Sequence, residues 1–285
     1  MKYETLWHRL TGIYDTNEAK AIVRWILDER FGLSLTDIVC GKLDEMSPAE
    51  CAAVEEMMMR LEQGEPVQYV LGVAEFCGRM FHVEPGVLIP RPETAEMCQW
   101  ISQKNRSFVT TKILDVGTGS GCIAITLALE MPKAMVTAWD VSEKALSIAK
   151  KNAETLRAEV NFEQRDILNI SPDSCLLTPD SFYYDLIVSN PPYVCEREAA
   201  EMERHVLEHE PHLALFVPDD DPLRFYKAIA EYGATALKPN GLLYFELNPQ
   251  YANDLFEMLS LMPYHDIEIK QDQFGKQRFL KAKKI

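Results

Sequence analysis

Hydrophobic positions change their period once along this chain. Up to about residue 72 they recur at helical spacing, and after residue 112 they come as short apolar runs separated by amphipathic stretches. In "TNEAKAIVRWILDERFG", Ala21, Val23, Ile26, Leu27 and Phe31 fall at helix-like intervals, with Thr16 expected as the cap and Gly32 as the stop. "SPAECAAVEEMMMRLEQG" predicts a second helix, with Ser47 as N-cap, Pro48 in the first turn, Glu50 completing a capping box and Gly64 ending it. The run Met57-Met58-Met59 fits a helix core that leaves one methionine outside. Between these halves, Gly72, Gly78 and Gly86 punctuate aromatic and β-branched runs, which predicts a hairpin connector.

The second half alternates. Strands are expected at 112–116, 135–139, 160–165, 185–189 and 241–247, and helices near 92–104, 121–130, 142–156, 222–237 and 250–260. Two final strands, near 264–271 and 276–282, suggest an antiparallel hairpin closing the sheet. The fold class is α/β, a doubly wound, mostly parallel sheet behind a small all-helical domain. The expected domains are 1–72 (helical), 73–91 (hairpin linker) and 92–285 (sheet).

Candidate chemistry sits where apolar runs end. "KILDVGTGSGCIAI" joins a strand to a helix through Gly117, Thr118, Gly119, Ser120 and Gly121. A dinucleotide turn would read GxGxxG and seat a pyrophosphate. This loop is GxGxG with Asp115 ahead of it, which suits a ligand with an amino-acid portion and no pyrophosphate. The next two strands end at Asp140, placed to accept ribose hydroxyls, and at Asp166, placed to accept from an adenine amino group with Ile167 covering the ring. Each aspartate alone fits a cap or a solvated side chain. Together the three describe an adenosine bearing an amino acid, S-adenosylmethionine.

The fourth strand runs into "SNPPYV". Prolines fix φ and remove donors, so Asn190, Pro191, Pro192 and Tyr193 form a stiff arc at the strand's carboxyl end, where open α/β sheets bind ligands. The Asn190 side-chain carbonyl and the residue 191 carbonyl offer two acceptors for a planar –NH2, and Tyr193 can stack on its plane. A conjugated amide or aromatic amine is a weak nucleophile, and such a grip would aim it at a methyl donor.

Composition narrows the partners. A formal charge of −15 disfavours stable nucleic-acid binding, although residues 270–285 hold a short basic tail. No apolar run approaches a membrane span, and the polar start predicts a cytoplasmic protein. Cysteines 40, 51, 77, 98, 122, 175 and 195 lack disulfide or zinc spacing and read as reduced, partly buried thiols. His205 and His209 share helical spacing without HExxH, so no metal is expected.

The chain resembles the HemK/PrmC family of protein-(glutamine) methyltransferases that modify peptide chain release factors. "PVQYVLG", "LIPRPET", "ILDVGTGSGCIAITLA", "DLIVSNPPYV" and "EPHLALF" carry the resemblance, in the family's order. It implies a seven-stranded Rossmann-like methyltransferase domain, Gly117 to Gly121 and Asp140 at the donor, and Asn190 to Tyr193 on the substrate glutamine of a Gly-Gly-Gln loop. Release factors would be the partners of a monomeric enzyme. Arg91, in "IPRPET", is taken as an orienting residue at the pocket mouth. Two positions depart from the family's pattern: Ile167, where tryptophan occurs, and His209, where tyrosine is frequent. Adenine amino methylation of DNA or RNA, and ribosomal-protein glutamine methylation, are the competing enzymatic readings. A silent adaptor would not need the glycine loop and NPPY intact.

Overall fold

The computed structural model describes residues 1–105, 110–170 and 184–285; Cys175, expected as a thiol, lies outside them. Two compact units divide the chain: Met1–Val73 with Met202–His209, and Ala74–Glu201 with Glu210–Ile285.

The first unit holds α1 (Tyr3–Leu10), α2 (Thr16–Phe31), α3 (Leu35–Val39), α4 (Pro48–Glu62) and α5 (Val67–Leu71). Its core joins Leu6 and Leu10, Val23, Ile26 and Leu27, and Val54, Met58 and Leu61. Arg9 ties α1 to α4 by pairing with Glu55 and Glu62, each at 2.7 Å. The expected capping box of α4 is present at Ser47 and Glu50, and Met59 is the exposed methionine of its run. Two expectations for α2 need correction. Asp15, not Thr16, is the cap, because its carboxylate accepts from the Asn17 and Glu18 N–H groups. Ala21 faces solvent, and Ala19 and Ile22 take the inward positions.

The strands β1 (Val73–Phe76) and β2 (Arg79–His82) form a two-stranded hairpin that turns through Cys77 and Gly78. After α6 (Pro92–Asn105) comes the main sheet: β3 (Thr111–Val116), α7 (Cys122–Glu130), β4 (Ala134–Asp140), α8 (Glu143–Leu156), β5 (Val160–Gln164) and β6 (Tyr184–Ser189). The short elements β7 (Val194–Cys195), α9 (Arg204–His209), α10 (His212–Leu215) and β8 (Phe216–Val217) follow. The chain then completes the sheet with α11 (Arg224–Ala236), β9 (Leu237–Glu246), α12 (Ala252–Ser260), β10 (Tyr264–Gln271) and β11 (Gln277–Lys284).

The seven strands lie in the order β10-β11-β9-β6-β3-β4-β5. Six point the same way, and β11 alone runs against them, antiparallel to both β9 and β10. Alternate residues divide between two cores. Ile113, Val136 and Leu186 pack with α6 and α7, while Leu114, Ile187 and Leu243 pack with α11 and α12. Because both faces are covered, central strands read as continuous apolar runs. β9 begins four positions earlier than expected, since Pro239 and Asn240, the latter at φ 64°, interrupt the pattern without ending the strand. The expected basic tail is instead β11, an interior strand whose Lys281 pairs with Glu268 and whose Lys284 donates to the Leu237 carbonyl at 2.7 Å.

Candidate active site

The order of strands reverses beside β3, which has β4 on one side and β6 on the other. A crevice opens at the carboxyl ends of such a pair. Here it is a cavity of about 390 Å3 within the second unit, lined by the loop after β3, the ends of β4 and β5, the loop after β6 and the segment leading into α6.

The glycine loop is built for close approach. Gly117, Gly119 and Gly121 all have left-handed φ, at 76°, 55° and 83°. A Cβ built on Gly119 would meet nothing within 4 Å, so open space lies where a ligand would pass. At Gly121 the reverse holds: a Cβ would stand 2.8 Å from Ile125 Cδ1 and 3.1 Å from Ala149 Cβ. Gly119 thus frees the ligand side, and Gly121 lets α7 lie against α8. Asp115 is fully buried below the loop. Its Oδ2 accepts from the Thr118 hydroxyl at 2.7 Å and the Ala124 N–H at 3.2 Å, while Oδ1 has no partner. Burial pushes this carboxyl up to about 7. Ser120 Oγ is a second buried polar atom without a partner.

Asp140 and Asp166 both line the cavity, and both also hold backbone. Asp140 Oδ2 accepts from Gly119 N–H at 2.8 Å and Oδ1 from Ser142 N–H at 2.9 Å; burial pushes its carboxyl up. Asp166 caps the 3-10 turn Ile167–Asn169 by accepting from Leu168 N–H at 2.9 Å. A carboxylate has about four acceptor directions, so each aspartate keeps capacity for a ligand hydroxyl or amine. Ile167, with Val141 and Leu168 beside it, gives this end apolar walls.

Across the cavity stand Asn190, Pro191 and Pro192. Ser189 pins the end of β6 by donating from Oγ to the Val116 carbonyl at 2.6 Å. Beyond the prolines, Asn248 donates to the Tyr193 carbonyl at 3.1 Å, and Val194–Cys195 pairs with Phe216–Val217. The loop is thereby held at both ends. Asn190 Nδ2 donates to Thr94 Oγ1 at 3.2 Å, and Thr94 donates in turn to Glu246 Oε2 at 2.6 Å. Tyr193 gives its hydroxyl to Glu246 Oε1 at 3.1 Å. Burial pushes Glu246 up, and its bonds from Thr94 and Tyr193 with the charge of Arg278 pull it back.

Two expected residues stand behind the lining. Gly121 serves helix packing, as above. Tyr193 is not among the lining residues; it packs against the α11 and α12 core and gives its hydroxyl to buried Glu246, so the geometry adds an anchoring bond to the stacking expected of its ring. Arg91 does reach the cavity, held by an ion pair with Glu210, whose fully buried side chain also accepts from Ile89 N–H at 3.0 Å. Sequence reading missed Thr94, Glu246 and Glu210. Thr94 and Glu210 lie inside the quoted runs "LIPRPET" and "EPHLALF", and nothing local marks Glu246.

The glycine cradle, the aspartates at successive strand ends and the apolar wall at Ile167 fit an amino-acid-bearing adenosine. Fold and site define a class I methyltransferase whose cofactor is S-adenosylmethionine. The Methyltransferase small domain family matches residues 97–213, and the PrmC N-terminal domain family matches residues 7–72. The chain is 49% identical over 273 residues to a release factor glutamine methyltransferase of Bacteroides thetaiotaomicron, covering 96% of this chain and 95% of that one. It is 40% identical to the protein so named in Flavobacterium psychrophilum, covering 96% and 94%. Among solved structures, the fold is shared with the delta-N METTL16 MTase domain, at 18% identity, TM-score 0.51, and 93% and 94% coverage. It is shared too with the T. thermophilus 16S rRNA N2 G1207 methyltransferase, at 19% identity, TM-score 0.51, and 75% and 50% coverage. The chain belongs to the release factor glutamine methyltransferase family.

Proposed function

We propose that this enzyme methylates the side-chain amide nitrogen of the glutamine in the Gly-Gly-Gln motif of peptide chain release factors. The observation that carries the reading is the rigid Asn190-Pro191 arc set across one cavity from the glycine loop. S-adenosylmethionine supplies there an electrophilic sulfonium methyl for the amide nitrogen to attack. Gly117 through Ser120 would hold its amino-acid portion, Asp140 its ribose, and Asp166 with Ile167 its adenine. Asn190 Oδ1 and the Pro191 carbonyl would accept the two N–H bonds of the glutamine, and Pro192 keeps that arc stiff. An amide nitrogen has its lone pair delocalised, so hydrogen bonds that orient it and draw on its N–H groups matter more than a base. Once alkylated, the nitrogen sheds its proton readily, and no strong base is required. Arg91, steadied by Glu210, would orient the substrate backbone at the mouth.

The helical unit would select the protein substrate, since every residue assigned to chemistry lies in the other unit. Removing residues 1–72 should leave donor affinity in place while methylation of intact release factor falls. The direct test offers labelled donor with purified release factor, with its Gln→Ala variant, or with DNA. Mass spectrometry should find one added methyl on that glutamine. Label on the Gln→Ala protein, or on adenine in DNA, would overturn the proposal.

A further inference from the structure

An asparagine amide has two ends of nearly equal shape and opposite hydrogen-bonding sense. If Asn190 turned its NH2 group toward the acceptor, donor would meet donor and the glutamine nitrogen would be repelled. Nothing in the NPPY loop itself decides between the two orientations. The deciding groups lie on two other elements, at Thr94 on α6 and Glu246 at the end of β9.

Thr94 is 2% exposed and Glu246 is 1% exposed, so neither finds water to satisfy it. Both oxygens of Glu246 accept, one from Thr94 and one from Tyr193, and Thr94 has a single hydroxyl proton. That proton goes to Glu246 Oε2 at 2.6 Å. Thr94 Oγ1 is then left only as an acceptor toward Asn190, which stands 3.2 Å away. Asn190 must answer with Nδ2, and its carbonyl oxygen becomes the end offered to the cavity. Tyr193, four residues of rigid loop included, satisfies the second oxygen of the same carboxylate at 3.1 Å. One buried carboxyl group therefore fixes both the start and the end of the arc.

We propose that Glu246 and Thr94 are positioning residues, a relay of hydrogen-bond direction that keeps the Asn190 amide with its carbonyl toward the acceptor nitrogen. This inference rests on the reading of Asn190 as the grip on a glutamine amide. Thr94 also lines the cavity, so a direct contact with substrate is the rival account.

The experiment uses the full-length enzyme, labelled donor and an intact release factor. Thr94→Val keeps the shape and removes the acceptor; kcat should fall on the order of 10–100-fold, with donor affinity by calorimetry unchanged. Thr94→Ser restores the hydroxyl and should recover most of the rate. In an Asn190→Ala background, Thr94→Val should cost nothing further, because the relay acts through Asn190 alone. Thr94→Ala covers the case in which Thr94→Val does not fold; it too removes the acceptor facing Asn190, with the same loss of kcat. A wild-type rate in Thr94→Val or Thr94→Ala, or a further loss in the double variant, overturns the relay. Failure of the wild-type enzyme to methylate any glutamine overturns instead the functional reading beneath it.

Discussion

Replacing Asp115 by asparagine should make the ligand-free enzyme more stable above neutral pH, although the side chain lies directly beneath the glycine loop. Asp115 is fully buried, and one of its oxygens has no partner. Burial raises its carboxyl from 3.8 to about 7. Between those values the folded protein holds a proton that the unfolded chain has released, so stability falls as pH rises. The contribution is complete below the unfolded value and is lost as pH passes through about 7. At 1.36 kcal/mol per pH unit, the full span is about 4 kcal/mol, and the stretch from pH 5 to pH 8 accounts for about 2–3 kcal/mol of it.

Asparagine cannot ionise and keeps the shape. Urea unfolding of both proteins at several pH values between 5 and 8 should show the wild-type curve dropping relative to the variant by that amount. Other titrating groups are common to both and cancel in the difference. Parallel curves would refute the reasoning. Donor binding offers a second reading of the same group. A donor ammonium held by the glycine loop above Asp115 would favour the carboxylate, so binding near pH 7 should expel a fraction of a proton. Calorimetry in buffers of different ionisation enthalpy measures that release, and Asp115→Asn should abolish it while weakening the donor.

Asp140→Ala removes a ligand acceptor and also unties Gly119 and Ser142; donor affinity should weaken by roughly 1–3 kcal/mol in calorimetry. Gly121→Ala forces a Cβ to 2.8 Å from Ile125 at a left-handed φ, and overpacking of about 1–3 kcal/mol should appear as a lowered melting temperature with or without donor. Asn190→Ala should cut kcat strongly and leave donor affinity intact, a split that would vanish if Asn190 served the donor instead. An acceptor glutamine shortened to asparagine withdraws its nitrogen by a methylene and should react about 100-fold more slowly.

Much of the fold was legible because local pattern and tertiary placement agree. The run Leu186-Ile187-Val188 is continuously apolar since both faces of β6 are covered, and the Ser47-Glu50 box is a purely local signal. The errors arise where two local signals compete. Asp15 and Thr16 both suit a cap, and only the backbone geometry chooses between them. Pro239 and Asn240 look like a turn, yet β9 continues through them under the constraint of its neighbours. In the site, glycines and strand-end aspartates announce themselves by spacing. The Thr94–Glu246 bond joins positions 152 apart in sequence, and no period or motif in a single chain encodes such a pairing. Tyr193 shows the complementary gap: its motif is conspicuous, but the partner of its hydroxyl lies on a distant strand, so the anchoring bond is not legible locally.

The insertion of β11 between β9 and β10 carries a consequence for how the enzyme comes into being on the ribosome. Synthesis is vectorial, and β10 emerges before the strand that must separate it from β9. Until β11 arrives, β9 presents an unpaired edge, a hazard for wrong pairing. The same arrival sets the site, because Phe279 pairs with Glu246 and the Arg278 carbonyl accepts from Leu247 N–H at 2.9 Å. A nascent chain stalled after β10 would possess the glycine loop and NPPY, yet the strand bearing Glu246 would still lack its outer neighbour. The packing around Glu246 is thus completed only once translation has run through Lys284, the last residue of β11.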